Sequence, residues 1–213
     1  MASAISINDQ DVLLAIDLQA DFMPGGALAV NGGDEIVPLV NRLASRFENV
    51  VVTQDWHPAG HASFASSHEG AKSFDTKRLH YGDQTLWPEH CVQGTPGAAL
   101  HPDLAVDLAL VILRKGAHPG IDSYSAFVEA DGRTTTGLAA LLKARGVKRI
   151  FLCGLATDFC VAYSALDARR EGFEAFVIED ACRAIDANNS LIQAWGRMNA
   201  AEVCRIQSAE ILG

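Results

Sequence analysis

The chain has 213 residues, enough for one sizeable hydrophobic core and short for two ordinary domains. Its composition, 49% hydrophobic and 20% charged, is typical of a folded globular protein and argues against a disordered one. The 17 basic and 26 acidic residues give a formal net charge of −9, which argues against nucleic acid or an anionic membrane as the main partner because both favour basic surfaces.

Short apolar runs alternate with segments of helical periodicity along most of the chain. In chain order, the pattern predicts a strand at 12–16, a helix at 34–47 with Asp34 as N-cap, strands at 50–53 and 108–113, a helix at 136–145, a strand at 150–153, a helix at 158–170, a strand at 173–178, a helix at 188–200 and a strand at 203–206. Such alternation implies right-handed βαβ crossovers. We therefore predict an α/β fold, a three-layer sandwich with a mostly parallel central sheet of about six strands.

Residues 56–106 interrupt this alternation. They have little periodicity and are interspersed with proline, glycine, serine and histidine. A connection this long inside a compact domain is usually a functional loop or lid, unless an element has been missed. We expect a single domain over residues 1–213 with a long loop or lid insertion at about 56–106.

The cysteines and the N-terminus bear on the location of the protein. The five cysteines are scattered and include no CxxC pair, so a disulfide framework is not expected. The N-terminal sequence MASAISINDQD lacks the basic and apolar regions of a secretory signal, and no apolar run approaches the roughly 18 residues of a membrane span. These features predict a soluble cytoplasmic protein.

Four polar residues lie at the carboxyl ends of predicted strands, where open parallel sheets bind ligands. Asp17 follows the first strand, Asp55 the second and Lys115 the third, and Cys160 lies just past the fourth. Each also has an ordinary interpretation: the aspartates could cap turns, the lysine could extend to solvent, and the cysteine could be a small buried side chain.

Cys160 gives the clearest chemical signal of the four. It lies where a predicted strand turns into a predicted helix, with Thr157 as a candidate N-cap, so first-turn N–H groups and the helix dipole would favour a thiolate and could stabilise an oxyanion. A neighbouring lysine would favour the thiolate as well, and an aspartate could accept the thiol proton. The sequence has no GxSxG motif to support a serine hydrolase.

A second group of residues has the chemistry of a metal site. Asp55 and His57 are two apart on an extended segment and point to the same side, and His90 could return from the long loop. An Asp/His/His set suits one divalent ion, namely zinc, manganese or iron, with open positions for water or substrate. His61 is a candidate fourth ligand or supporting residue, and surface histidines are the alternative.

Five segments in order resemble the nicotinamidases, within the superfamily of isochorismatase-like cysteine hydrolases, over nearly the whole chain. They are AIDLQADFMPGGALAV (15–30), TQDWHP (53–58), LWPEHCVQGTPGA (86–98), RKG (114–116) with DSYSAF (122–127), and GLATDFCV (154–161). The resemblance implies the isochorismatase-like hydrolase fold, and it raises the catalytic interpretation well above the ordinary ones.

The resemblance also implies roles for individual residues. The implied catalytic triad is Asp17, Lys115 and Cys160. The implied metal ligands are Asp55, His57 and His90, holding one divalent ion for which zinc is slightly favoured. The implied aromatic walls for the substrate ring are Phe22 and Trp87, and the implied oxyanion hole is formed by the N–H groups of Ala156 and Cys160 beside a cis peptide between Leu155 and Ala156.

The implied activity is hydrolysis of nicotinamide to nicotinic acid and ammonia through a cysteine thioester, a step of NAD salvage, with pyrazinamide as a second small-molecule substrate. One alternative is a related hydrolase acting on a carbamoyl compound or isochorismate, although the complete metal set argues against it. A catalytically inactive relative that binds a ligand or protein is another, and the intact triad argues against that. A homo-oligomer remains open, because helix faces of α/β domains often pair.

Overall fold

The computed structural model describes residues 4–213 and is built on a six-stranded sheet. The strands of the chain are β1 (Asp11–Ile16), β2 (Asn49–Asp55), β3 (Thr76–Leu79), β4 (Gly82–Thr85), β5 (Val111–Lys115), β6 (Arg149–Leu155), β7 (Glu174–Arg183) and β8 (Cys204–Ile206). The sheet order is β5-β2-β1-β6-β7-β8, and every neighbouring pair in it is parallel. This confirms the predicted α/β class with a six-stranded parallel sheet.

The helices cover both faces of this sheet. They are α1 (Val37–Ala44), α2 (Leu138–Ala144), α3 (Ala162–Arg170), α4 (Ser190–Ala200) and α5 (Ala209–Leu212). α1 connects strands that progress in one direction along the sheet, whereas α3 and α4 connect strands that progress in the other. Because parallel crossovers are right-handed, these two groups of helices lie on opposite faces. No helix within residues 4–213 has the length and apolar character needed to cross a bilayer.

The burial of the central strands explains why they appear in the sequence as apolar runs. All six residues of β1 are buried, and six of the seven in β6, because both strands have neighbours on each side and helices on both faces. The edge strand β5 instead alternates between more and less buried positions, and Ile112 is 47% exposed. Next to it, the Arg114 guanidinium lies 3.9 Å from the centre of the Trp56 ring.

Several predicted elements differ in their bounds, and β7, for example, extends to Arg183 beyond the predicted 173–178. The helix predicted at 34–47 is confined to Val37–Ala44, and Asp34 does not cap it, since Ile36 occupies the N-cap position. The strand predicted at 108–113 begins at Val111, because Val106–Leu108 forms a 3-10 turn instead. Lys115 is therefore the last residue of β5 and is fixed by strand pairing.

The segment predicted as a loop or lid contains a hairpin that the sequence did not predict. β3 and β4 pair antiparallel, separately from the main sheet. The first three residues of β3 (Thr76, Lys77 and Arg78) are exposed, so the strand has no alternating apolar pattern to reveal it. The loop or lid insertion predicted at about 56–106 thus includes a short hairpin, and its behaviour as a lid stays a prediction.

Candidate active site

The candidate site lies where the direction of strand connection reverses. β1 and β6 are neighbours, but the chain continues from β1 towards β2 and from β6 towards β7, so a crevice opens beyond their carboxyl ends. Asp17 follows β1, and Cys160 lies in the turn of 157–161 that follows β6. Asp55 and Lys115 end β2 and β5 and are paired in register. All four residues therefore meet at one edge of the sheet.

Lys115 is the centre of this group. Its fully buried ammonium lies 2.8 Å from Asp17 Oδ2 and 2.9 Å from Asp55 Oδ1. It also donates to the carbonyl oxygen of Ser123 at 3.0 Å and to Cys160 Sγ at 3.4 Å. Burial would lower the pKa of Lys115, but the two carboxylates more than offset this and raise it well above its usual range. The lysine is therefore a fixed positive charge beside the sulfur.

Asp17 is held rigidly opposite that charge. Its side chain is buried, and Thr53 Oγ1 donates to its Oδ1 at 2.6 Å while accepting from its backbone N–H at 3.1 Å. Its φ of 51° is in the left-handed region, which aspartate tolerates better than most residues. Burial raises the pKa of Asp17, with Lys115 opposing and Asp55 reinforcing this effect, so the carboxylate is a stronger base than an ordinary aspartate.

Cys160 lies in an unusual turn. Residues 157–161 form one π-helical turn before α3 begins at Ala162, and Thr157 makes no side-chain cap. Burial raises the pKa of the Cys160 thiol well above its usual range, and the Lys115 ammonium offsets this only in part. The sequence-based expectation of a lowered pKa is therefore wrong for this structure. Burial thus opposes formation of the thiolate, and a base beside the sulfur assists it.

The metal candidates converge on one carboxylate oxygen. Asp55 Oδ2 lies 3.1 Å from His57 Nε2 and 3.6 Å from His90 Nε2, and the potential ligand atoms of the three residues lie within 4.8 Å of one another. The Nδ1 atoms of the two histidines face the carbonyl oxygens of Gly116 (2.9 Å) and Pro88 (2.8 Å). Since a carbonyl only accepts, each Nδ1 carries the proton and each Nε2 presents a lone pair. The set fits a divalent metal ion.

His61 lies beside this group with both ring nitrogens already engaged. Its Nδ1 is 2.7 Å from Ser63 Oγ, and its Nε2 is 3.0 Å from the carbonyl oxygen of His118 and 3.2 Å from that of Ile121. Its ring centre lies 4.3 Å from that of His57. His61 packs against His57 and also forms a second set of potential metal-ligating atoms with His57 and Asp122, within 4.8 Å of one another, so its role as a ligand stays a prediction.

A small cavity opens onto the sulfur and the metal candidates. Phe22 and Trp87 line it together with Ala156 and Cys160, and its volume is about 20 Å³. The Trp87 indole N–H donates to the Tyr124 hydroxyl at 2.9 Å, which fixes the plane of the ring. Phe22 and Trp87, which are implied to hold the substrate ring, thus line the same cavity as Cys160, which is implied to react with the substrate.

The strand that leads to the nucleophile turn is tightly packed. The peptide between Leu155 and Ala156 is cis, as the resemblance implied. Gly154 has a φ of 114°, and a Cβ there would lie 2.1 Å from the carbonyl oxygen of Ile16. A side chain at position 154 would therefore separate β6 from β1 and move Cys160 away from Asp17.

Sequence reasoning did not assign five further residues that line the cavity, namely Leu28, Asp122, Tyr124, Phe159 and Ile185. Leu28, Asp122, Tyr124 and Phe159 fall inside the matched segments, so their position in the motifs was a usable signal. Ile185 lies outside every matched segment and had none.

The chain is similar to known proteins over almost its whole length. The family model of the isochorismatase domain matches residues 11–208. The nicotinamidase of Acinetobacter baylyi is 55% identical over 94% of this chain and 94% of its own.

Solved structures share the fold as well. A nicotinamidase and pyrazinamidase of Acinetobacter baumanii superimposes with a TM-score of 0.94 at 54% identity, covering 95% of this chain and 98% of that one. PnC1 of L. infantum, solved in complex with nicotinate, gives 0.86 at 38% identity over 98% of both chains. The pyrazinamidase of Pyrococcus horikoshii, solved in complex with zinc, gives 0.75 at 38% identity over 93% of this chain and 99% of that one.

Proposed function

This chain belongs to the isochorismatase family, and from that membership we propose that it hydrolyses nicotinamide to nicotinic acid and ammonia. A relative that is 55% identical over 94% of the chain is a nicotinamidase, and a structural neighbour was solved with nicotinate. The release of ammonia from a carboxamide makes the protein an amidohydrolase. Pyrazinamide, a second small aromatic amide, is its expected alternative substrate.

One geometric observation carries the proposal. A single buried ammonium, that of Lys115, contacts the Asp17 carboxylate, the Cys160 sulfur and the Asp55 carboxylate at once. A purely structural ion pair would not need the sulfur, and a buried structural cysteine would not need a base and a cation beside it. The three groups have the composition of a nucleophile with its activators.

In the first half of the reaction, Asp17 takes the proton of the Cys160 thiol as the sulfur attacks the carboxamide carbon. The N–H groups of Ala156 and Cys160 stabilise the charge that develops on the amide oxygen. Asp17 then gives the proton to the leaving nitrogen, the C–N bond breaks, and ammonia departs. A thioester between Cys160 and the nicotinoyl group remains.

In the second half, a water molecule attacks the thioester carbon. Asp17, again ionised, accepts a proton from that water, the C–S bond breaks, and the sulfur regains a proton. Lys115 remains charged throughout and offsets the negative charge on the carboxylate or the sulfur at each stage. Nicotinic acid leaves, and the thiol is restored.

The cavity walls orient the substrate ring. Phe22 and Trp87 offer aromatic faces, and stacking of this kind holds a planar ring without a directional bond. The resulting position brings the carboxamide next to Cys160, and correct placement of reacting atoms is itself a large part of the rate.

Asp55, His57 and His90 would hold one divalent ion, for which zinc is our proposal. The donor set of two imidazoles and a carboxylate suits zinc, and the related pyrazinamidase of Pyrococcus horikoshii was solved with it. When bound, such an ion supplies a Lewis-acidic position for the ring nitrogen of the substrate.

The experiment that tests the function is a release assay with purified protein. Ammonia and nicotinic acid should appear in equal amounts from nicotinamide, with pyrazinamide hydrolysed as well. Carbamoyl compounds and isochorismate should react at least roughly a hundredfold more slowly in kcat/KM, because they do not match the aromatic walls. Faster turnover of either of these two substrates than of nicotinamide would contradict the proposal.

A further inference from the structure

Part of the cavity wall is formed by the segment that follows β7. Residues 184–189, which we call the strap, connect β7 to α4, and Ile185 in the strap lines the cavity. Three residues of the strap have left-handed backbone conformations, Asp186 (φ 52°), Asn188 (55°) and Asn189 (64°). Aspartate and asparagine tolerate this region better than most residues, so the sequence suits a sharply folded segment.

A single carboxylate ties the strap to the turn that carries the nucleophile. Asp158 is buried and lies two residues before Cys160. Its Oδ1 accepts from the Ile185 N–H at 3.1 Å, and its Oδ2 accepts from the Asp186 N–H at 2.8 Å and from Ser190 Oγ at 2.5 Å. The position of Ile185 over the cavity is therefore fixed relative to the reacting sulfur.

The cavity is small, so the position of the strap affects which substrates it can hold. The cavity is narrow, with a volume of about 20 Å³, so the side chains that form its wall set the size of the ring that it admits. Trp87 and Phe22 are buried, and Trp87 is also held by a hydrogen bond, whereas Ile185 is only half-buried on an irregular segment. Of these three wall residues, Ile185 therefore keeps the most exposed surface.

We propose that Ile185 is a specificity-determining residue that limits the substituents a substrate ring can carry, and that Asp158 is the positioning residue that holds it there. This inference deepens the proposed function and rests on it for the identity of the substrate. A bare pyridine or pyrazine ring fits beneath the strap. A ring with an added alkyl group meets the Ile185 side chain, and the hydrogen bonds to Asp158 keep the strap from yielding.

The test compares Ile185→Ala with the unaltered protein on nicotinamide and on nicotinamides methylated singly at each free ring carbon. The ratio of kcat/KM for a methylated amide to that for nicotinamide should rise about tenfold or more for at least one ring position. Ile192→Ala is the matched control, because Ile192 lies on α4 close by in sequence and is 72% exposed. Unchanged ratios in Ile185→Ala at all positions would overturn the proposal.

The role of Asp158 is tested by the same ratio. Asp158→Asn keeps the size of the side chain but cannot accept both backbone N–H groups, so it should relax specificity at the same ring position as Ile185→Ala. Ser190→Ala removes one of the three bonds and should give a smaller change in the same direction, which keeps the test decisive if Asp158→Asn folds poorly. A fall in activity without any change in the ratio would show a merely structural role.

A second readout does not depend on the substrate. Alkylation of Cys160 by iodoacetamide and by N-benzyliodoacetamide is followed by mass spectrometry of the peptide that contains it, which separates it from the exposed Cys204. Ile185→Ala should increase the rate with the larger reagent several-fold relative to the smaller one. If nicotinamide is not hydrolysed at all, the proposed function fails while this measurement still decides the role of the strap.

Discussion

At the scale of single residues, the site is organised by charge. One ammonium, that of Lys115, is buried between the carboxylates of Asp17 and Asp55 and stays protonated because of them. Asp55 faces this lysine with Oδ1 and the two histidines with Oδ2. The Asp55 carboxylate therefore couples the proposed triad to the proposed metal site. A change of charge at one of them alters the electrostatic environment of the other.

The metal site gives a prediction at this scale. The purified protein should contain about one divalent ion per chain. His57→Ala should weaken binding of the ion by at least roughly a hundredfold, because mutation of residues that only hydrogen-bond to metal ligands already lowers metal affinity tenfold or more. Metal content is measured by elemental analysis after dialysis against a weak chelator. His80→Ala is the control, because His80 is exposed and lies in the same long segment. Full metal content in His57→Ala would remove that residue from the site.

At the scale of elements, the hairpin of β3 and β4 supports the aromatic wall of the cavity. Gln84 in β4 is buried, and its Nε2 donates to Asp122 Oδ2 at 2.7 Å and to the Tyr124 hydroxyl at 3.0 Å. The same hydroxyl accepts the Trp87 indole N–H. An element that is mostly exposed is thus linked by one side chain to a residue proposed to stack on the substrate.

We expect Gln84→Met to loosen Trp87 without touching the reacting groups. The change keeps the side-chain volume but removes both donors, so KM for nicotinamide should rise about tenfold, which corresponds to about 1.4 kcal/mol, while kcat changes less than threefold or so. Steady-state kinetics measure both constants. Arg78→Met in the same hairpin, which breaks only an exposed ion pair with Asp83, should leave them unchanged. A fall in kcat at constant KM in Gln84→Met would contradict this role.

The elements also show which parts of the fold could be predicted from the sequence. β1 and β6 were predictable because central parallel strands are buried on both faces and read as unbroken apolar runs. β3 was not, because its exposed residues carry no apolar periodicity. The turn at 157–161 was read as the start of a regular helix, because nothing in its residues distinguishes a π-helical turn from an α-helical one.

At the scale of the whole molecule, topology brings the site together from distant parts of the chain. Asp17 and Cys160 are far apart in sequence, yet they meet because β1 and β6 are neighbours at the point where the connections reverse. The sequence indicated Asp17, Asp55, Lys115 and Cys160 at strand ends, whereas the full catalytic and metal sets, including His90 in the long loop, were implied by the resemblance. It could not locate Ile185, since that residue lies outside every matched segment and reaches the cavity through the fold of the strap, which hydrogen bonds tie to Asp158.

The central claim is that the sulfur of Cys160 attacks the amide, and the most direct measurement is ammonia release by Cys160→Ala. The variant should lose about 10⁴-fold or more of kcat while keeping its circular dichroism spectrum and metal content. Cys204→Ser, at the exposed cysteine, should keep full activity. Turnover by Cys160→Ala within tenfold or so of the unaltered protein would contradict the account.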